Sequence, residues 1–193
     1  MVPPRHRPHC PMASQNCVPN SHAPVSVPHG CDVPGEHASP TQPFPVAPPW
    51  LLTPARLTES DVAGLDPEHH AACLSLFRSL RYEGIFTPPS ARGSLQYPGT
   101  AGGANWSGAS LDPRRAVLYV PLNNFAMTAS VDPTPIGPEG PHGLPALRLA
   151  RGGVFSIDTR MCSKPPWGYL VAVDLERGEI LWRSPLGQTP DGV

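Results

Sequence analysis

Tyr169-Leu170-Val171-Ala172-Val173-Asp174-Leu175-Glu176-Arg177-Gly178-Glu179-Ile180-Leu181-Trp182 reads as two β-strands joined by a tight turn. Leu170 to Val173 supply an apolar run, Asp174 to Gly178 the turn, and Glu179 to Trp182 the start of the return strand. Ala172 is small, so another side chain can pack on it. The Asp174 carboxylate can accept turn N–H groups, and Gly178 can take a positive φ without a Cβ clash. Trp182 is a large flat body suited to docking against a neighbouring sheet. That set fits one blade of a β-propeller, whose hairpins carry repeated glycine and aromatic marks. One blade cannot bury its faces alone, so the motif points to a larger array.

A second hairpin lies upstream. Ala109-Ser110-Leu111 leads into a turn at Asp112-Pro113-Arg114-Arg115, and Val117-Leu118-Tyr119-Val120-Pro121 follows. It echoes the first, with a small residue, an Asp turn and an aliphatic strand about 60 residues earlier, as a repeat architecture would show. Ser94-Leu95-Gln96-Tyr97 reads as a short strand. Residues 125–160 contain Pro133, Pro135, Pro138, Pro141 and Pro145 and read as a long irregular excursion between blades.

Helix is expected only over residues 58–82. Thr58-Glu59-Ser60-Asp61 resembles a capping box with Asp in place of Glu. Asp66-Pro67 offers an N-cap followed by proline at the first helical position. Cys73, Leu76, Phe77 and Leu80 fall on one apolar face, where Cys73 reads as a small buried apolar residue. His69 and His70 read as solvated.

Composition narrows the function. Proline (29) and glycine (18) make up about a quarter of the 193 residues, which approaches loop-rich composition. Only 15% are charged and the net charge is −1, with no basic patch for a nucleic acid. No apolar run is long enough to cross a bilayer, and no signal peptide is visible. The five cysteines (Cys10, Cys17, Cys31, Cys73 and Cys162) contain no CxxC, and their odd number argues against a closed disulfide framework. Residues 1–35 read as a disordered or non-native leader. Their His6, His9, Cys10, Cys17, His22 and His29 lack metal-ligand spacing. Residues 36–193 read as the folded domain. Its first part, 36–57, is proline-rich and expected to lie extended along a surface.

The chemistry-bearing candidates sit after Tyr97-Pro98-Gly99-Thr100, at Gly102-Gly103-Ala104-Asn105-Trp106. The glycines allow close backbone approach. An amide beside an indole suits a flat cofactor carrying carbonyl groups. Spacing alone favours the plainer alternative, a tight corner with a packing tryptophan. Asn105-Trp106-Ser107 also matches a glycosylation sequon.

Several motifs in order carry a resemblance. Thr41-Gln42-Pro43-Phe44-Pro45, Arg81-Tyr82-Glu83-Gly84-Ile85-Phe86-Thr87-Pro88-Pro89-Ser90, Tyr97-Pro98-Gly99, Gly102-Gly103-Ala104-Asn105-Trp106 and Pro165-Pro166-Trp167-Gly168-Tyr169 resemble the C-terminal part of a quinoprotein dehydrogenase. The membrane-bound glucose dehydrogenase type, dependent on pyrroloquinoline quinone (PQQ), is the best likeness. The resemblance implies an all-β fold: about two blades of an eight-bladed propeller, with one helical insertion and long loops. It implies PQQ and Ca²⁺ as cofactors and a sugar or alcohol CH–OH group as substrate. It also implies ubiquinone as electron acceptor, on the periplasmic side of the inner membrane, with membrane attachment through a region outside this chain. Asn105 and Trp106 match the segment that approaches the cofactor. Thr100 stands where the family usually has Asn, which removes one amide from the cofactor's surroundings. Trp167 is expected to be structural. The family's catalytic base and metal ligands lie upstream of the matched part, so no catalytic residue and no metal ligand is assigned here. A catalytically inactive remnant of the same descent is the alternative.

Overall fold

The computed structural model describes residues 22–28, 39–104, 108–134 and 148–187. Two short strands, β1 (His22–Ser26) and β2 (Thr41–Pro45), pair antiparallel as a ribbon of their own. A 3₁₀ turn (Glu59–Asp61) and helix α1 (Pro67–Ser79) follow. The remaining strands are β3 (Ser94–Gln96), β4 (Ser110–Asp112), β5 (Val117–Asn123), β6 (Met127–Asp132), β7 (Arg148–Val154), β8 (Ser156–Ile157), β9 (Arg160–Met161), β10 (Gly168–Asp174) and β11 (Glu179–Pro185). The fold is mostly strand with one α-helix, as a partial β-propeller requires.

The two echoing hairpins are neighbours. β10 pairs with β5, giving one four-stranded antiparallel sheet in the order β11-β10-β5-β4. The register explains the small residue at Ala172. It stands opposite Tyr119 on one side and Trp182 on the other, and the two rings lie 6.0 Å apart between centroids. Ala172 is fully buried between them. Trp182 therefore packs within its own sheet and keeps 43% of its surface exposed. On the opposite face, Val120, Val171 and Val173 enter the core beside Leu122 and Leu95. Burying such aliphatic side chains contributes roughly 1.5–3 kcal/mol each.

Both hairpin turns use an aspartate. Asp174 Oδ1 accepts the Glu176 and Arg177 N–H groups at 2.8 and 3.0 Å, and Arg177 Nη1 donates to Oδ2 at 2.7 Å. Asp112 Oδ1 accepts from the Arg114 and Arg115 N–H groups at 3.0 and 3.2 Å. The fourth residue after each aspartate is left-handed: Gly178 at φ +67° and Ala116 at φ +53°.

Within the excursion over 125–160, the described residues form strands β6 to β9. β6 lies between β3 and β7 in a three-stranded sheet. The prolines cluster in its connection, residues 133–145, and residues 135–147 lie outside the described residues. Strand β1 lies inside residues 1–35 and pairs with the proline-rich segment that follows. A two-stranded ribbon tolerates prolines because their missing N–H groups can face outward.

The helix starts as its caps dictate. Asp66 Oδ1 accepts the His69 N–H at 2.7 Å with Pro67 behind it, while the Thr58–Asp61 capping box closes the preceding 3₁₀ turn. Two expectations fail on its inner face. Cys73 is bonded to Cys162 in a disulfide, and His69 is buried beside it. The cysteines are 89 residues apart, so neither spacing nor parity could reveal the pairing. His69 is drawn inward because Nδ1 finds a backbone donor, the Leu65 N–H at 3.2 Å.

Candidate cofactor site

The motifs of the sequence converge on one polar residue, Asn124, which is buried in the segment after β5. The Tyr97 hydroxyl donates to Asn124 Oδ1 at 2.7 Å. Asn124 Nδ2 donates to the Thr53 carbonyl at 3.1 Å and the Pro166 carbonyl at 2.9 Å. The Asn124 N–H reaches the Trp167 carbonyl at 2.8 Å. One amide thus ties Tyr97-Pro98-Gly99 to Pro165-Pro166-Trp167. Burial pushes the Tyr97 phenol well above its ordinary pKa, so it remains a hydrogen-bond donor throughout the physiological range. Asn124 belongs to no motif that sequence reading singled out; its role depends on partners 27 to 71 residues away. Trp167 is structural: its indole N–H donates to the Ser163 carbonyl at 2.9 Å.

Next to this node lies a cavity of about 300 Å³. Phe44, Pro48, Trp50, Leu52, Pro98 and Ala104 are among the residues lining it. The Asn123 N–H bonds the Gly103 carbonyl at 2.8 Å, which pins the glycine pair to the end of β5. Arg183 of β11 donates to the Trp50 and Leu51 carbonyls at 2.9 and 3.1 Å and holds the opposite wall. Phe44 packs on Trp50 with ring centroids 4.9 Å apart. Trp50 Nε1–H is buried and has no hydrogen-bond partner among the described residues. A buried donor left unpaired costs about 1–3 kcal/mol.

Asn105 and Trp106 lie outside the described residues, immediately after Ala104 in the cavity wall. Thr100 is exposed, and its hydroxyl faces Met127 Sδ at 3.3 Å rather than the cavity. The chemistry of the wall fits the body of a flat quinone: proline and aromatic faces, the Trp50 indole among them. It does not fit calcium, which takes six to eight oxygen ligands. No carboxylate or side-chain amide lines the cavity among the described residues.

Residues 23–193 match the family model "PQQ: Glucose/ethanol/alcohol dehydrogenase, beta-propeller domain". The chain belongs to this PQQ-dependent dehydrogenase β-propeller family. The match begins at residue 23, inside the expected leader, and so includes most of β1. A quinoprotein glucose dehydrogenase of Gluconobacter oxydans (strain 621H) is 32% identical over 91% of this chain and 24% of its own length. A probable quinate dehydrogenase (quinone) of Xanthomonas campestris pv. juglandis is 32% identical over 84% of the chain and 22% of its own. A glycerol dehydrogenase large subunit of Gluconobacter thailandicus is 33% identical over 80% and 24%. The chain thus spans about a quarter of the length of these relatives. No solved structure matches.

Proposed function

We propose that this chain forms one sector of a PQQ-dependent dehydrogenase and supplies a wall of the cofactor site. The carrying observation is the aromatic and proline cavity with an unpaired Trp50 Nε1–H, closed by the residue before Asn105. In this reading Trp50, Asn105 and Trp106 hold the quinone, and Thr100 stands at its margin, its hydroxyl turning from Met127 to reach it. When bound, PQQ supplies a two-electron acceptor for oxidation of a CH–OH group. The chain's own part is to present a flat apolar face, exclude water and donate hydrogen bonds to carbonyl oxygens. The relatives are named for glucose, quinate and glycerol, which supports a sugar or alcohol hydroxyl as the proposed donor. Ubiquinone is the proposed final acceptor, Ca²⁺ the proposed metal of the whole assembly, and the periplasmic side of the inner membrane the proposed location. The propeller portion is placed at residues 36–193 with β1 added.

The test is a spectroscopic titration of the purified chain with PQQ, with and without W50F, alongside dye-linked glucose oxidation with added PQQ and Ca²⁺. Saturable PQQ binding, weakened about tenfold by W50F, is expected, that factor being the worth of one hydrogen bond. Absence of binding would overturn the cofactor reading and leave the alternative, a structural remnant of the same descent. No turnover above a PQQ-only control is expected, because the resemblance puts the catalytic base upstream of the matched part, and Asp112, Asp174 and Glu59 serve as turn caps or in an ion pair.

A further inference from the structure

The buried cluster of His69, Cys73 and Cys162 is remote in function from the cavity and unused by it. Its three ligand-capable atoms lie within 4.8 Å of one another, and all three residues are almost fully buried. His69 Nε2 lies 3.5 Å from Cys73 Sγ. The protonation pattern of the ring follows from its other side. Nδ1 accepts the Leu65 N–H, so it carries no proton, and the proton of the neutral ring sits on Nε2, facing sulfur. A metal held by Nε2 would require that proton to move to Nδ1 and the Leu65 bond to break. The arrangement is built to donate to Cys73, not to ligate.

We propose that His69 polarises the Cys73–Cys162 disulfide and makes Cys162 a modification site for low-molecular-weight thiols. In the exchange, an incoming thiolate forms a new S–S bond to Cys162 Sγ. The Cys73–Cys162 bond breaks, and its electron pair leaves on Cys73 Sγ, where the His69 Nε2–H hydrogen bond receives the charge. No other oxidant or reductant is involved. A better-stabilised leaving thiolate departs faster, so the thiol is directed to the other sulfur. Burial means that the α1 segment must lift before a thiol can enter. His69 and Cys73 are four residues apart on the same helix, and Leu65 is in the adjoining turn, so the donor stays with Cys73 as the helix lifts around the intact disulfide.

The test uses the full chain with Cys10, Cys17 and Cys31 replaced by serine. It is exposed to reduced glutathione, quenched in acid, alkylated and mapped by peptide mass spectrometry. The readout is the ratio of glutathione on Cys162 to glutathione on Cys73, which does not depend on how often the helix opens. Roughly a tenfold bias to Cys162 is expected, falling to near one in H69L and kept in part by H69Q, which retains an N–H donor. Equal labelling of the native residues, a bias to Cys73, no adduct at all, or an unchanged bias in H69L would each overturn the proposal. If H69L does not fold, the ratio in the His69 protein and its reduction in H69Q decide the matter.

Discussion

Asn124 shows how much one amide can organise. Replacing it by alanine leaves the buried Tyr97 hydroxyl and the Thr53 and Pro166 carbonyls without their partners. Buried polar groups stranded in this way cost about 1–3 kcal/mol each. N124A is therefore expected to lose about 3 kcal/mol or more in denaturant unfolding, and Y97F, which strands a single acceptor, about 1 kcal/mol. A loss in N124A no larger than in Y97F would show that the node is not shared. Trp50 provides the contrast. Its indole N–H has no hydrogen-bond partner among the described residues, so in W50F the relief of a stranded donor offsets the lost ring packing, and the unfolding midpoint should shift less than in N124A while PQQ is weakened.

At the scale of an element, the two hairpins solve the same turn with different residues. Ala116 occupies the left-handed position that Gly178 fills in the other turn. Holding alanine there costs about 1–2 kcal/mol, against about 0.5–1 kcal/mol of extra chain entropy lost by glycine on folding. A116G should then be neutral to about 1 kcal/mol stabilising; a clear loss of stability would refute that balance. Asp174 makes its turn sensitive to acid. Hydrogen bonds from the Arg177 N–H and side chain, ahead of the Glu176 N–H, hold its pKa below the ordinary aspartate value. A carboxyl depressed in the folded state stabilises above its unfolded pKa, and that contribution is lost as pH falls through the folded value. The difference in melting temperature between the parent chain and D174N should therefore be constant near neutrality and shrink below about pH 4. Gly168 is constrained for another reason. A Cβ there would lie 2.6 Å from the Leu186 carbonyl oxygen, a backbone atom that cannot give way without disturbing the β10–β11 pairing. G168A should destabilise the outer hairpin, read as faster amide exchange across β11.

Across the whole molecule, the four-stranded sheet ends in β11 on one side and β4 on the other, and neither has an outer partner among the described residues. Leu111, Leu181 and Trp182 on those strands remain 55%, 50% and 43% exposed. Open strands with exposed apolar side chains recruit other strands. The purified chain is expected to self-associate as its concentration rises, followed by sedimentation velocity, and L181K/W182K should reduce that association. A monomer at every concentration would mean that the edges are covered some other way.

Local chemistry was legible in the sequence. The Asp–Gly turn, the apolar run of β10, the Asp66–Pro67 helix start and the linked motifs depend on neighbours a few residues away, and backbone geometry ties such signals to one outcome. The family followed from motif order. Tertiary structure decided what depends on distant partners. It joined the two hairpins into one sheet and buried His69 against a disulfide whose cysteines are 89 residues apart. It paired β6 and β7 of the excursion with β3 in a three-stranded sheet and brought Thr53, Tyr97, Asn124 and Pro166 to one node. A hydrogen bond or a disulfide is a statement about two atoms in space, and a linear pattern carries only one of them at a time.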